Sequence, residues 1–393
     1  MASPDPEPAL VLRLMAWYVG TVGALALMPF LAVRLTSAGF TDAGATAVLT
    51  LLPLGTLVGG PTWAWAVDRM GHARRALVGA LLISALALCG LLSDQPWVVL
   101  MAVACFAFGR APIFPLGDAL TVSAMGARYG TVRAVGSIAY IAVVLSTGAL
   151  RDTWPLWPVI AAIALFSVAA VISAGLPSPS VTRRPERADL VALLRDPGVA
   201  GLLGVAFLNG LSLTTYDHLF TLHLERSGVP SWLSGAAVAW GVAVEVAVMF
   251  AAAPLIARLG APRLLFVACL AGLPRFAITA LAIDHPFVVA ACQGLHGLQF
   301  GAFWVAAVHH MSTLAPPNLR QSAQALLPAF GFGLATLVSL VSSATWLTFG
   351  TTRTLFALLL VPAALASVAA WRLARSTPSA RTGSGVPSPT ELR

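Results

Sequence analysis

The chain reads as a succession of long apolar runs divided by short polar breaks. Twelve runs can be marked: Val11–Val33, Ala43–Val67, Arg75–Leu92, Pro96–Val122, Ala134–Leu150, Trp154–Leu176, Val199–Leu222, Trp232–Ile256, Leu264–Ile283, Pro286–Met311, Ala323–Leu347 and Leu355–Leu373. About 20 residues carry an α-helix across the hydrocarbon core of a bilayer, and these runs are of that order. The pattern therefore predicts an all-α membrane protein with twelve transmembrane helices. The first run is too long for a signal-peptide core and has no convincing cleavage site, so it is expected to stay as a helix.

The longest internal hydrophilic stretch runs from Pro177 to Gly198 through SPSVTRRPERADLVALLRDPG. It splits the chain into six and six: a first bundle over 1–176, a cytoplasmic central loop over 177–198 and a second bundle over 199–375. Glu186 to Arg195 is expected to form a short surface helix in that loop. The tails, Met1–Pro8 and Ser376–Arg393, are rich in Pro and Ser and read as disordered, the second over 376–393.

Composition agrees. The 393 residues are 58% hydrophobic and only 10% charged, with mean hydropathy +0.87. The formal charge of +8 does not point to nucleic acid, because its placement follows the membrane. All 23 basic residues are Arg, and those outside the apolar runs fall mostly in the short loops. Arg69, Arg74, Arg75, Arg128, Arg133, Arg183, Arg184, Arg187, Arg195, Arg258, Arg263, Arg320, Arg372, Arg375, Arg381 and Arg393 belong to one side. Arg34, Arg151, Arg226 and Arg353 belong to the other. Positive charge accumulates on the cytoplasmic side of membrane proteins, so both termini are expected in the cytoplasm of a multi-pass protein of the bacterial inner membrane. The partners expected are a small-molecule substrate, protons and the lipid bilayer, with no nucleic acid, for a chain acting as a monomer.

The four cysteines, Cys89, Cys105, Cys269 and Cys292, lie inside apolar runs without metal-ligand spacing and read as small buried hydrophobes. Adjacent His309 and His310 point different ways on a helix, so no metal site is expected. No Walker, Rossmann or nucleophile-elbow motif occurs. Neither an enzyme, a cofactor nor ATP-driven transport is expected.

The two halves echo each other. VDRMGHARR (Val67–Arg75) follows the second run and IARLGAPR (Ile256–Arg263) follows the eighth. Arg69, Gly71 and Arg74 align with Arg258, Gly260 and Arg263 at one common offset, as a duplicated six-helix unit predicts. Many transporters carry such repeats and place the substrate site at their interface, near the bilayer midplane.

Twelve runs as six plus six, the central loop and DRxGxxRR at Asp68, Arg69, Gly71, Arg74 and Arg75 together resemble the major facilitator superfamily. The family's loop begins with Gly four residues before the Asp; here that position is Ala64. A narrower likeness, to the phenylpropionate-permease branch related to the lactose permease, rests on six stretches. These are GDALTVS (Gly117–Ser123), YGTVRAVGSIAY (Tyr129–Tyr140), AWGVAVEVAVMF (Ala239–Phe250), LPRFAITAL (Leu273–Leu281), CQGLHGLQFGAF (Cys292–Phe303) and RQSAQAL (Arg320–Leu326). The resemblance implies two pseudo-symmetric six-helix bundles that work by alternating access.

Buried charge carries the candidate chemistry. Charged groups at bilayer depth are costly and usually mark an ion or substrate path. Glu245, Arg275 and His296 each lie about half-way along the eighth, ninth and tenth runs, counting ~1.5 Å per residue. The lactose-permease likeness implies Glu245 as proton carrier, Arg275 as its partner and His296 as relay or substrate ligand. The plainer alternative is a fixed ion pair, with Gln293 and Gln299 satisfying His296. Candidate substrate contacts are Arg110, Asn209, Tyr216, Gln293, Gln299 and Trp304, with Tyr140 relevant to an aromatic solute. Asp217 and His218 read as solvated near the outer end. Asp118 is expected to organise a cytoplasmic gate with Arg128 or Arg133, beside the Asp68, Arg69, Gly71, Arg74 and Arg75 loop.

The function expected is a proton-coupled secondary transporter, most simply a symporter, of a small organic solute, with two buried arginines pointing to an organic acid. A sugar or nucleoside symporter, a drug/proton antiporter, or a non-transporting assembly factor or sensor on the same fold are the alternatives.

Overall fold

The computed structural model describes residues 7–177, 191, 193–316 and 319–376. The chain forms α1 Pro8–Ser37, α2 Asp42–Arg69, α3 Ala73–Leu92, α4 Pro96–Met125, α5 Tyr129–Leu150, α6 Trp157–Ala174, α7 Pro197–Arg226, α8 Ser231–Leu259 and α9 Ala261–Leu281. Next comes α10 over 286–314, built from Pro286–Cys292, Gly294–His296, a π turn Gly297–Ala302 and Phe303–Leu314. The last two are α11 Ser322–Trp346 and α12 Thr352–Ser376. Eleven of these are long and apolar enough to cross a membrane. The tenth predicted run is present as the segmented column α10. The expected surface helix at 186–195 and both expected disordered tails fall almost wholly outside the described residues.

Local chemistry sets where the helices begin and end. Proline occupies the first turn of α1, α4, α7 and α10, where a missing N–H costs nothing. Asp196 caps α7 by accepting from the Val199 N–H at 2.9 Å. The repeated loops share a backbone device: Gly71 (φ +66°) closes α2 and Gly260 (φ +76°) closes α8. The Gly71 N–H donates to the Val67 carbonyl and the Gly260 N–H to the Ile256 carbonyl, each at 2.8 Å. A side chain would be strained at a positive φ, so the aligned glycines have a physical reason to be glycine.

In the first half α1 packs along α5 and α6, α3 against α4 and α6, and α2 against α4. In the second, α7 lies on α11 and α12, α9 on α10 and α12, and α8 on α10. The two halves meet through α5 with α8, the later part of α1 with α7, and the start of α2 with α11. These junctions lie at the end of the molecule away from the termini, here the distal end.

There the apolar core is continuous: Leu31, Leu35 and Val144 of the first half belong with Leu219, Phe220 and Phe356 of the second. The Thr221 hydroxyl of α7 donates to the Pro29 carbonyl of α1. At the rim Arg226 meets Asp42 (2.6 Å), and Arg151 meets Glu225 and Ser231 (2.8 Å each). At the opposite, terminal end, the second half keeps a separate core around Leu202, Leu265, Ala306 and Leu327. A cavity of about 880 Å³ opens there, lined by Met249, Ala252 and Ile256 of α8 and Trp304, Val308 and Ser312 of α10. Among the described residues the halves are joined at the distal end, and the cavity opens at the terminal end between α8 and α10.

The α5–α8 junction depends on two glycines. A Cβ on Gly148 would lie 3.0 Å from the Gly235 Cα and from the Ser231 carbonyl oxygen. Gly148→Val should therefore force the helices apart at a cost of ~1–3 kcal/mol. A lowered Tm of the purified protein in detergent is the expected result, and an unchanged Tm would contradict the packing described.

Candidate functional site

Arg275 of α9 is fully buried and stands at the centre of the second half. A guanidinium can only donate hydrogen bonds, and a buried one needs acceptors around its whole edge. Residues of α10 supply three. Nε donates to Gln293 Oε1 at 3.2 Å, Nη1 to Gln299 Oε1 at 2.7 Å and Nη2 to His296 Nδ1 at 3.0 Å. The face of the cation is covered by Tyr216 of α7, with Cζ 3.5 Å from the ring centroid, a stacked cation–π arrangement.

The acceptors are themselves held. The Gln293 Nε2 group donates to the Val289 carbonyl at 2.8 Å and to Thr279 Oγ1 at 3.4 Å. The Gln299 Nε2 group donates to Asn209 Oδ1 at 3.2 Å and Ser212 Oγ at 3.4 Å on α7. Phe300 stacks on the His296 ring with centroids 5.6 Å apart and planes 3° from parallel.

The tautomer of His296 follows from this geometry. Because Nδ1 accepts from Arg275, the ring is neutral and its proton sits on Nε2. Nε2 faces Glu245 Oε2 of α8 at 3.7 Å, within ion-pair reach and long for a hydrogen bond. Carboxylate, imidazole and guanidinium thus form a file, Glu245–His296–Arg275. The close approach of α8 to α10 is again a matter of glycine: a Cβ on Gly301 would lie 3.1 Å from the Glu245 carbonyl oxygen, and one on Gly297 only 2.5 Å from the Glu245 nitrogen.

The expected direct partnership of Glu245 with Arg275 is not formed. His296 stands between them, because three acceptors on α10 take the donors of Arg275 while Glu245 approaches from α8. Asn209, Tyr216, Gln293 and Gln299, singled out as substrate contacts, are brought into this cluster but are closed over, with the two glutamines wholly buried. Trp304 lies at the cavity mouth, its ring 5.2 Å from Phe332 of α11. Glu245 keeps limited access, and Met249, Ala252 and Ile256 continue its stripe along α8 to the terminal end.

Arg110 is elsewhere, at the point where α4 breaks before Pro112, with its Nε buried and without a hydrogen-bond partner. It lies within electrostatic reach of His218 on α7. Asp217, read as solvated, is half-buried, and Tyr140 of α5 lies within electrostatic reach of both Asp217 and Glu245. Arg275 is also within reach of Asp217. Sequence reasoning passed over Asp217 because it counted depth along α7 alone; its only signal was an acidic residue directly after Tyr216. His223 was also missed. It is buried, bonded to Thr352 Oγ1 (3.0 Å) and the Thr279 carbonyl (3.1 Å), and stacked on Phe356.

The residues expected to form a cytoplasmic gate are dispersed toward the terminal end. Asp118 accepts from the Tyr18 hydroxyl at 2.6 Å, which joins α4 to α1. Arg74 donates to the Leu176 carbonyl at 3.3 Å, Arg69 lies over the Trp65 ring at 5.5 Å, and Gly71 supplies the left-handed turn. Arg133 of α5 lies within electrostatic reach of Glu245 across the interface. Asp68 and Arg75 lie at that same loop.

With this architecture in place, comparison with known proteins decides the family. The MFS_1 like family model matches residues 13–358. The chain belongs to that family. Over 329 residues it is 30% identical to the maltose permease of Geobacillus stearothermophilus, covering 79% of this chain and 80% of that protein. Among solved structures, the nucleoside transporter NupG superposes with TM-score 0.79 at 16% identity, over 94% of this chain and 100% of that one. A bacterial homologue of the human lysosomal transporter Spinster, inward-facing and unoccupied, gives TM-score 0.69 at 15% identity, over 95% and 98%. The protein is a major facilitator membrane transporter of the all-helical fold expected, and not an enzyme.

The burial of the cluster has a measurable consequence. Gln299→Leu removes the acceptor from Arg275 Nη1 inside an apolar bundle and should cost ~1–3 kcal/mol. Asp94→Asn, at the exposed end of the Arg34–Asp94 pair, should cost less than ~1 kcal/mol. Thermal unfolding in detergent compares the two, and equal Tm values would contradict the assignment.

Proposed function

We propose that this transporter is a proton-coupled symporter that moves a small organic solute by alternating access. The observation that carries this reading is the Glu245–His296–Arg275 file, three ionisable groups in one chain of contacts beside the cavity. Glu245 is the proton carrier. With its proton on Nε2, His296 communicates the charge of Glu245 to Arg275, whose guanidinium holds helices α7, α9 and α10 together. A change of charge at Glu245 therefore alters forces across the second bundle.

The arginine-rich loops orient the terminal end toward the cytoplasm of a bacterial inner membrane. In that orientation the closed distal end faces outward and the cavity faces inward, and Asp118, Arg133 and the Asp68–Arg75 loop belong to the cytoplasmic side of the first half. Arg226–Asp42 and Arg151–Glu225 are the outer contacts that must separate for solute to enter.

An organic acid is the first substrate reading. Since Arg275 has its donors engaged, attraction of an anion falls to Arg110, whose buried Nε has no partner. A neutral polyhydroxylated solute is the second, favoured by the likeness to a maltose permease and by two half-buried carboxylates, Asp217 and Glu245, within electrostatic reach of Tyr140.

Uptake into proteoliposomes under an imposed pH gradient, interior alkaline, tests the coupling. The wild type should accumulate solute, with substrates first identified by thermal-shift screening of organic acids, sugars and nucleosides. Glu245→Gln should abolish accumulation and keep solute exchange. Accumulation by Glu245→Gln equal to the wild type would remove Glu245 as the carrier.

A further inference from the structure

Helix α10 leaves α geometry at a π turn, Gly297–Ala302, and α11 carries a second π turn, Ala329–Leu334. Such turns hold one extra residue per cycle, are uncommon, and gather at functional sites. The second has a covalent reason, since Pro328 directly precedes it and cannot donate a backbone hydrogen bond. The first has none: after Pro286 the helix α10 contains no proline. Its geometry must be held by contacts.

Those contacts converge on Gln299, which lies inside the turn. Its side chain spans Arg275 on α9 and Asn209 and Ser212 on α7. Its carbonyl accepts from the Asn209 Nδ2 group at 3.5 Å, a long contact to a backbone group in the stretch where the α ladder is interrupted. The next residue, Phe300, stacks on His296 and lies 5.7 Å from Phe332 in the other π turn. Phe332 also touches Trp304 at the cavity mouth. Beside the second turn lies an apolar cavity of about 300 Å³, lined by Leu203, Phe207, Phe330 and Leu334, so α11 has room on that flank.

We propose that Gln299 is a positioning residue of the relay, and that its π turn is a register switch linking the relay to the cavity mouth. Each residue of an α-helix turns about 100°. If the turn relaxes to α geometry, the parts of α10 before and after it rotate against each other by about that angle. Gln299, inside the turn, then shifts against His296 just before it and against the stretch beyond, so the present three-point fit of α10 to Arg275 is not kept. One guanidinium donor is released to meet Glu245, and the terminal half of α10, with Trp304, Val308 and Ser312, turns with the change. Phe300 and Phe332 pass it to α11.

This inference rests on the relay reading above, and hydrogen–deuterium exchange tests it without requiring transport. In the purified protein, Gln299→Ala should speed amide exchange about tenfold in both 297–302 and 329–334. Gln299→Glu strengthens the acceptor for Arg275 and gives up the Nε2 donation, in whose place the Asn209 amide and the Ser212 hydroxyl can donate to the carboxylate, and it should slow both. Opposite signs from two substitutions at one site are not expected of a residue that only fills space. In proteoliposomes, Gln299→Ala should lose gradient-driven accumulation and keep counterflow. Should neither variant fold, wild type and Glu245→Gln are compared, and exchange in the two turns should change together. Exchange altered in 297–302 alone, or full accumulation by Gln299→Ala, would overturn the switch. A wild type indifferent to the pH gradient would instead sink proton coupling, leaving the exchange result to be judged by itself.

Discussion

A guanidinium cation placed where neither water nor lipid headgroups can reach it constrains the second half of this transporter more than any other group. The cost of burying a charge is met only when its donors and its faces are matched. Arg275 meets that condition with two glutamines, a histidine and a tyrosine ring, drawn from two neighbouring helices. Each partner is fixed by a further contact, so α7, α9 and α10 are set relative to one another by the requirements of one side chain. Glu245 is attached to that assembly through His296 and is its most accessible member. Charge at the edge of the network therefore acts on its centre.

The two halves share a backbone plan but not their chemistry. Gly71 and Gly260 close equivalent helices with equivalent bonds, whereas the buried arginine of the first half, Arg34, sits at the distal end and donates to Leu91, Ser93, Ser37 and Asp94 rather than to a mid-helix polar cluster. The half-buried Arg110 of that half sits at a helix break and has Phe106 as a ring neighbour at 6.0 Å. One half is internally cross-linked around a cation, and the other has an arginine whose Nε lacks a hydrogen-bond partner. Closure at the distal end is mainly apolar, with the ion pairs at the rim adding little to its strength.

Much of the architecture was legible in the sequence. Apolar run length gave the helices, loop arginines gave their sidedness as an expectation, and the glycine-containing loops revealed the repeat. The grouping of His296 and Arg275 was visible as a coincidence in depth. The order of contacts was not, because it depends on which face of α10 each residue takes, and a π turn changes that face without any residue marking it. Gln293 and Gln299 read as possible solute ligands because a polar residue in an apolar run looks the same whether it faces a cavity or a buried cation. Asp217 was obscured by counting along one helix, although its neighbours come from α5, α8 and α9.

The glycine crossing of α5 and α8 has a mechanical consequence. Helices that interlock through large side chains must exchange rotamers before they can tilt. Where Gly148 meets Gly235, backbone rests on backbone, and no side chain stands between the two halves at that point. The crossing behaves as a bearing: it fixes how near the halves approach while leaving the angle between them free to change.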